Sequence, residues 1–475
     1  MTSPGPRPPQ RISKFISTIV GAATRLFRRL LKGAATTRPE TYGAPVPRPP
    51  LPEIQATQPP GPAIIKTKPV IIIALDYGTF STKVLVRRRG DQHPELLTLN
   101  EAAAGYPEFA IPSVVRISGD RVYYGGQALL SDDGNLYRWL KIRIIQPNLT
   151  AIDGEATNHF QEVDAPALVA AYLTWVLSLV KIRLDSRFGD SAYRPVLNLA
   201  APMDHLVDRE RQRGYLRIAA TAWNSVFEAS TSDVLPSSDA ACVVMALSER
   251  LKAVAVPTIE ERPFQVLPEN LAPLVSLAQK PQMRPGMYLV VDVGAGTTEF
   301  SINKVQSTAE QLPVLCYCDR SVLIGARSFA TADGTASVCE SLLCEARRTW
   351  GQGFEKVKNN FGATKHWRQL NILLAGGGSQ HPLVQRAFKR NILEFFYPWA
   401  GQGNAEIHIY EPGGIQHRPA DSTDFRKQAF LLAVAHGLSV ERQQWPQFVK
   451  PFEIEPTKPT PEKAKGYGWQ DDPGS

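Results

Sequence analysis

The sequence predicts an α/β protein that carries one strand-and-turn unit twice. Three stretches predict it. IIIALDYGTFSTKVLV, residues 71–86, is an apolar strand that ends in Asp76, turns through Gly78 and returns as a second strand. YLVVDVGAGTTEFSI, 288–302, repeats the order with Asp292, Gly294 and Gly296. NILLAGGGSQHPLVQRAF, 371–388, is an apolar strand that opens through Gly376, Gly377 and Gly378 into a helical pattern. Short apolar runs punctuated by glycine read as buried strands joined by tight turns.

The elements ahead of this core differ in composition. The first 70 residues hold eleven Lys/Arg against two acids and 14 of the 39 prolines, which leaves 42 basic and 43 acidic residues in the rest of the chain. The formal charge of +8 therefore belongs to an N-terminal arm. A neutral body without a basic stripe gives no reason to expect a nucleic-acid partner. Residues 1–10 read as disordered. In residues 11–32, RISKFISTIVGAATRLFRRLLK, apolar residues recur at three-four spacing while Arg11, Lys14, Arg25, Arg28, Arg29 and Lys32 fall on the other face. Such a helix, about 33 Å long, fits an anionic membrane surface. It also fits a groove on a partner protein or on this protein's own body, a cleaved transit peptide, or a disordered basic arm. Residues 33–69 carry ten prolines and read as a semi-rigid linker.

Two further features bound the setting. Five cysteines, an odd number without zinc spacing, point to a reducing, cytoplasmic compartment. The apolar run LVAAYLTWVLSLV, 168–180, is shorter than the ~20 residues a membrane span needs. The expected location is cytoplasmic, peripheral on the inner face of a membrane through residues 11–32.

The turns carry the chemistry. Gly78, Thr79, Ser81 and Thr82 offer small backbone and hydroxyl donors to phosphate oxygens, and Lys83 adds a point charge. Asp76 would repel a phosphate unless a hydrated Mg²⁺ sat between them. Asp292, Gly294, Gly296, Thr297 and Thr298 repeat the arrangement. The turn Gly376, Gly377, Gly378, continued by Ser379 and Gln380, is of the kind that lets a flat base or ribose approach the main chain.

In this order the segments resemble the two phosphate motifs and the adenosine motif of the actin-like ATPase superfamily. The connecting segments are most similar to the nucleotide-binding domain of the 70-kDa heat-shock (DnaK-type) chaperones. PVLNLAAPMDHLVDRERQRGYLRIAATAW (195–223) resembles that branch's strand, switch proline (Pro202) and helix. IPSVVRISGDRVYYGGQALL (111–130) resembles its edge strands, VLPSSDAACVVMAL (234–247) its first connecting helix, and RKQAFLLAVAHGLSV (426–440) its closing helix. The resemblance implies two ribonuclease H-like lobes, 70–254 and 287–440, with a reduced small subdomain in lobe II and ATP or ADP with Mg²⁺ clamped between them. It assigns Asp76 and Asp292 to the magnesium waters, Thr297 and the hairpins to the phosphates, and Lys141 to the attacking water. Residues 255–286 read as a proline-rich insertion and 441–475 as a disordered tail.

The sequence also departs from that family. Leu235, before Pro236, stands where the chaperones begin their connecting helix with a magnesium-placing glutamate beside a proline, and Phe80 replaces a hairpin threonine. Gly325 to Gly376 is 51 residues, too few for the family's full adenine clamp; CEARRTW and FEKVKNNF, with Glu345, Arg348, Glu355 and Lys358, are the candidate helices for it. Gln380 stands where an arginine stacks on the base. The 35 residues after 440 would not build a peptide-binding domain. The expected function is an ATP-binding, slowly hydrolysing or non-hydrolysing switch read by an unknown protein partner. A bacterial-actin-like filament protein and a pseudo-ATPase scaffold are the alternatives.

Overall fold

The computed structural model describes residues 68–454, apart from 100–102, 146–150, 153–154, 157–163, 191, 203–207, 229–239, 257, 259–261, 280–282, 307–313, 330–331, 357–366, 368, 391–403, 410–414, 416–427 and 452. The expected helix 11–32, Leu235, Pro236 and Lys358 lie outside the described residues.

The architecture is mixed α/β. In the first half, β1 (Val70–Tyr77) and β2 (Ser81–Arg88) form an antiparallel hairpin, with β3 (Glu95–Leu96) and β4 (Ile111–Pro112) paired to β2. A small sheet of β5 (Val115–Ser118), β6 (Arg121–Tyr124) and β7 (Asn135–Tyr137) follows with α1 (Gly125–Leu130) and α2 (Leu140–Ile145), then a short hairpin of β8 (Ala151–Ile152) and β9 (Glu155–Ala156). β10 (Arg194–Ala201) lies parallel to β1, and β11 (Phe264–Pro268) parallel to β10. In the second half β12 (Gly286–Val293), β13 (Thr298–Val305) and β14 (Val314–Val322) run antiparallel in succession, and β15 (Gln369–Ala375) and β16 (Asn404–Ile409) extend the sheet in parallel from β12.

The two sheets therefore have the same plan. Their orders are β11-β10-β1-β2-β3 and β16-β15-β12-β13-β14, the second continued by β17 (Phe448–Val449), and over the first five strands parallel and antiparallel pairs fall at matching places. The central strands β1 and β12 are buried on both faces, which is why they read as unbroken apolar runs rather than alternating ones.

α3 (Ala165–Phe188) packs on the first sheet with α4 (Arg209–Trp223) and α5 (Ala240–Ala253) beside it. Asp164 caps its N-terminus, accepting from the Ala167 amide, and Gly189 ends it. This helix, 24 residues long, exceeds the expected apolar run 168–180, and it is long and apolar enough to cross a membrane. Its residues Leu168 to Leu177, however, form the core of the first half. α6 (Ala272–Ala278) and α8 (Ala433–Leu438) bind the halves together through a core that takes Ala74 and Leu85 from one sheet and Val290 and Leu373 from the other. α7 (Ala332–Glu355) covers the second sheet, where Trp350 and Trp367 are fully buried.

Two segments differ from their sequence reading. Residues 255–286 are not an insertion: they supply β11, a 3-10 turn at Glu269–Leu271 and α6. Two of their prolines sit where a missing N–H does no harm. Pro268 ends an edge strand and Pro273 lies in the first turn of α6. Beyond residue 440, a 3-10 turn (Arg442–Gln444), the buried Trp445 and β17 (Phe448–Val449), parallel to β14, continue the fold rather than begin a tail. The Trp445 indole donates to the Val440 carbonyl at 3.2 Å.

The crossing of α6 and α8 depends on one glycine. A Cβ at Gly437 would overlap the main-chain carbonyl of Ala272, which no side-chain rotation relieves. Gly437→Ala is expected to lose about 3 kcal/mol of stability, read as a lowered urea midpoint at unchanged m-value.

Candidate functional site

The C-terminal end of β1 and the turn into β2 meet their counterparts at β12 and β13 around a cavity of about 310 Å³. Of the residues expected to form a site, Asp76, Gly78, Thr79, Ser81, Lys83, Lys141, Asp292, Gly294, Thr297, Gly376 and Gly377 all line it. The two hairpins touch at its edge, where Gly296 packs against Thr79, Ile142 and Trp139.

Six expected residues do not line the cavity. Thr82 alternates to the other face of β2, where its hydroxyl is engaged by Ser113 at 3.0 Å and Tyr172 at 2.9 Å. Thr298 donates to the Ile324 carbonyl at 2.6 Å, and Gly296 is the contact just described. Gly378 lies against Val293 and Ala326, Ser379 turns back to the Gly376 carbonyl at 2.7 Å, and Gln380 closes the 3-10 turn. Glu345, Arg348 and Glu355 on α7 are also off the cavity, Glu345 being held by Arg320 and Arg348.

Charge is concentrated here from both halves. Asp76 and Lys83 are directly opposite across the hairpin and form an ion pair at 3.1 Å, so Lys83 neutralises Asp76 first. Lys141, 2% exposed, is ion-paired with Glu269. Burial pulls its amine down, but Glu269, Asp76 and Glu299 outweigh that, and it sits above its ordinary value. Asp292 is buried beside Glu269 and Asp76. Desolvation and the two neighbouring carboxylates push it up to about 7 against the pull of Lys141 and Lys83. Three carboxylates facing two ammonium groups form a cluster that a further cation would stabilise.

The third turn also serves this cluster. Gly376 has φ 77° and ψ 165°, and a Cβ there would run into the Asp292 carboxylate and the Val293 carbonyl. The glycine makes room for Asp292.

Sequence reasoning missed Glu269 and Arg327. Glu269 follows Pro268 and opens the 3-10 turn leading into α6. The run FQVLPENLAPLVSLA carried the signal: a β-rich stretch, an acid, then helix formers. Arg327, in the turn after β14, stacks on Trp139 at 4.5 Å and on Phe80 at 5.1 Å, and Phe80 stacks on Tyr106 at 4.2 Å. Phe80 thus offers an aromatic face to a cation from the other half.

Comparison with models of known protein families finds no match, and none of the curated proteins compared is similar enough to count as a relative.

Proposed function

We propose that this protein is an actin-like, two-lobed nucleotide switch that binds ATP with Mg²⁺ between its two sheets. The observation that carries the reading is the convergence of Asp76, Glu269 and Asp292, with Lys83 and Lys141, on one cavity walled by glycine- and hydroxyl-rich hairpins. The matching strand order of the halves supports it, because a duplicated unit presents equivalent turns to a shared cleft. At about 310 Å³ the cavity is at the low end for small-molecule sites and suits a cation with phosphate groups.

The residues fit that group. Asp76 and Asp292 would hold water around the magnesium ion, and Thr79, Ser81 and Thr297 would face phosphate oxygens. Mg²⁺ would supply charge neutralisation on those oxygens. Glu269 stands at hydrogen-bond distance from Lys141, so the pair can orient a water or hold a proton in the cleft. Its presence favours slow hydrolysis over a pseudo-ATPase scaffold. The contact of Arg327 with Phe80 and Trp139 spans the halves and would break on opening. A partner protein or an anionic membrane, reached through residues 11–32, would read the open or closed form.

Calorimetric titration with Mg-ATP and with ADP, followed by phosphate release over hours, tests this. Asp76→Ala and Asp292→Ala are each expected to weaken Mg-dependent binding at least about 100-fold. Unchanged affinity in both variants would reject the site.

A further inference from the structure

We propose that the protein has a second ligand site, for a small oxyanion, a phosphate or a carboxylate, centred on Arg87. It does not depend on the nucleotide reading. A cavity of about 520 Å³ lies between the β2–β3 turn, α6 and the segment after α8. Arg87, Gln92, His93, Ser276, Gln279 and His436 line it together with two acids, Asp91 and Glu441. Arg87 pairs with Ile72 across the hairpin while Lys83 pairs with Asp76, four residues further along, so the two cavities lie about 13 Å apart along β1.

Arg87 is 5% exposed and its Nε is buried without a hydrogen-bond partner. The carboxylate that would be its natural partner is taken. Glu441 accepts from the Arg89 guanidinium at 3.1 Å through one oxygen and from the Gly90 amide at 3.1 Å through the other. Burial pulls the Arg87 guanidinium below its ordinary value despite Glu441 and Asp91, as expected of a cation short of counter-charge. A buried donor without an acceptor is costly, and the guanidinium fork matches two oxygens of a carboxylate or phosphate. Around it the cavity adds groups suited to the remaining oxygens: the Gln92 and Gln279 amides, the His93 imidazole and the hydrogen-bonded Ser276–His436 pair. The charge of Asp91 and Glu441, which also line the cavity, excludes a polyanion in favour of an anion of one or two charges.

Calorimetry of the full chain with inorganic phosphate, and separately with malonate, in magnesium-free buffer, tests the assignment. The wild type is expected to bind at least one of them, and the stronger arm identifies phosphate or carboxylate as the preferred group. Arg87→Gln is expected to weaken that binding about tenfold or more. Gln279→Glu, on the exposed end of α6, puts a like charge on the rim without touching the core and is expected to weaken it several-fold. Lys83→Met reports on anion held in the other cavity. Binding lost with Lys83→Met and kept with Arg87→Gln would overturn the proposal, as would no heat from the wild type with either probe.

Discussion

Glu269→Ala is expected to destabilise the protein by roughly 3–5 kcal/mol and, on the proposed function, to slow phosphate release by about 100-fold. The first effect follows from burial. Lys141 is 2% exposed and Glu269 8%, so the substitution leaves an ammonium group inside the protein without the ion-pair partner it has among the described residues. Asp76 and Glu299 still act on Lys141 at longer range, which places the loss toward the lower end of that interval. The double variant Lys141→Met, Glu269→Leu removes both charges and fills similar volume, and should recover most of the lost stability. Urea titration of the wild type, Lys141→Met, Glu269→Leu and the double variant gives the coupling. Additive losses would show that the pair is not the reason Glu269 matters. The double variant should remain inactive even where it is stable, which separates the structural part of the pair from its chemical part.

What could be read from the residues, and what could not, divides along the same line. Asp76, Lys83 and Asp292 were legible because a strand that ends in an acid before a glycine turn is a local pattern, and alternation along β2 puts Ser81 and Lys83 on one face. The same alternation argues against Thr82, yet its hydroxyl drew it into the expected set; only the contacts with Ser113 and Tyr172 reveal the side it occupies. Glu269 was lost because proline was read as punctuation between domains, while Pro268 and Pro273 mark the ends of elements inside one. Arg327 carries no local signal, since its aromatic partners come from the other half of the chain. The duplicated turns announced a repeated unit, but the matching strand orders needed β11, which the proline-rich reading had removed.

The second large effect is expected at Gly376. Gly376→Ala should cost roughly 4 kcal/mol or more from two sources that a control separates. The backbone stands at φ 77° and ψ 165°, a region that only glycine occupies without strain. The added Cβ would also meet the Asp292 carboxylate and the Val293 carbonyl, and the second of these is main chain in a central strand and cannot yield. Gly90 also has a positive φ, of 89°, but a Cβ there meets nothing within 4 Å. Gly90→Ala therefore measures a positive-φ cost without a collision, about 1–2 kcal/mol, and the excess at Gly376 is the collision together with the strain of its own ψ. The collision has a functional consequence that simple unfolding does not. Any relief must come from the movable partner, so Asp292 swings away from Asp76 and Glu269. Gly376→Ala, assayed well below its melting temperature, should then lose Mg-dependent nucleotide binding to the same extent as Asp292→Ala, and the two substitutions combined should do no more than either alone. Independent, additive losses would mean that Gly376 does not act through Asp292.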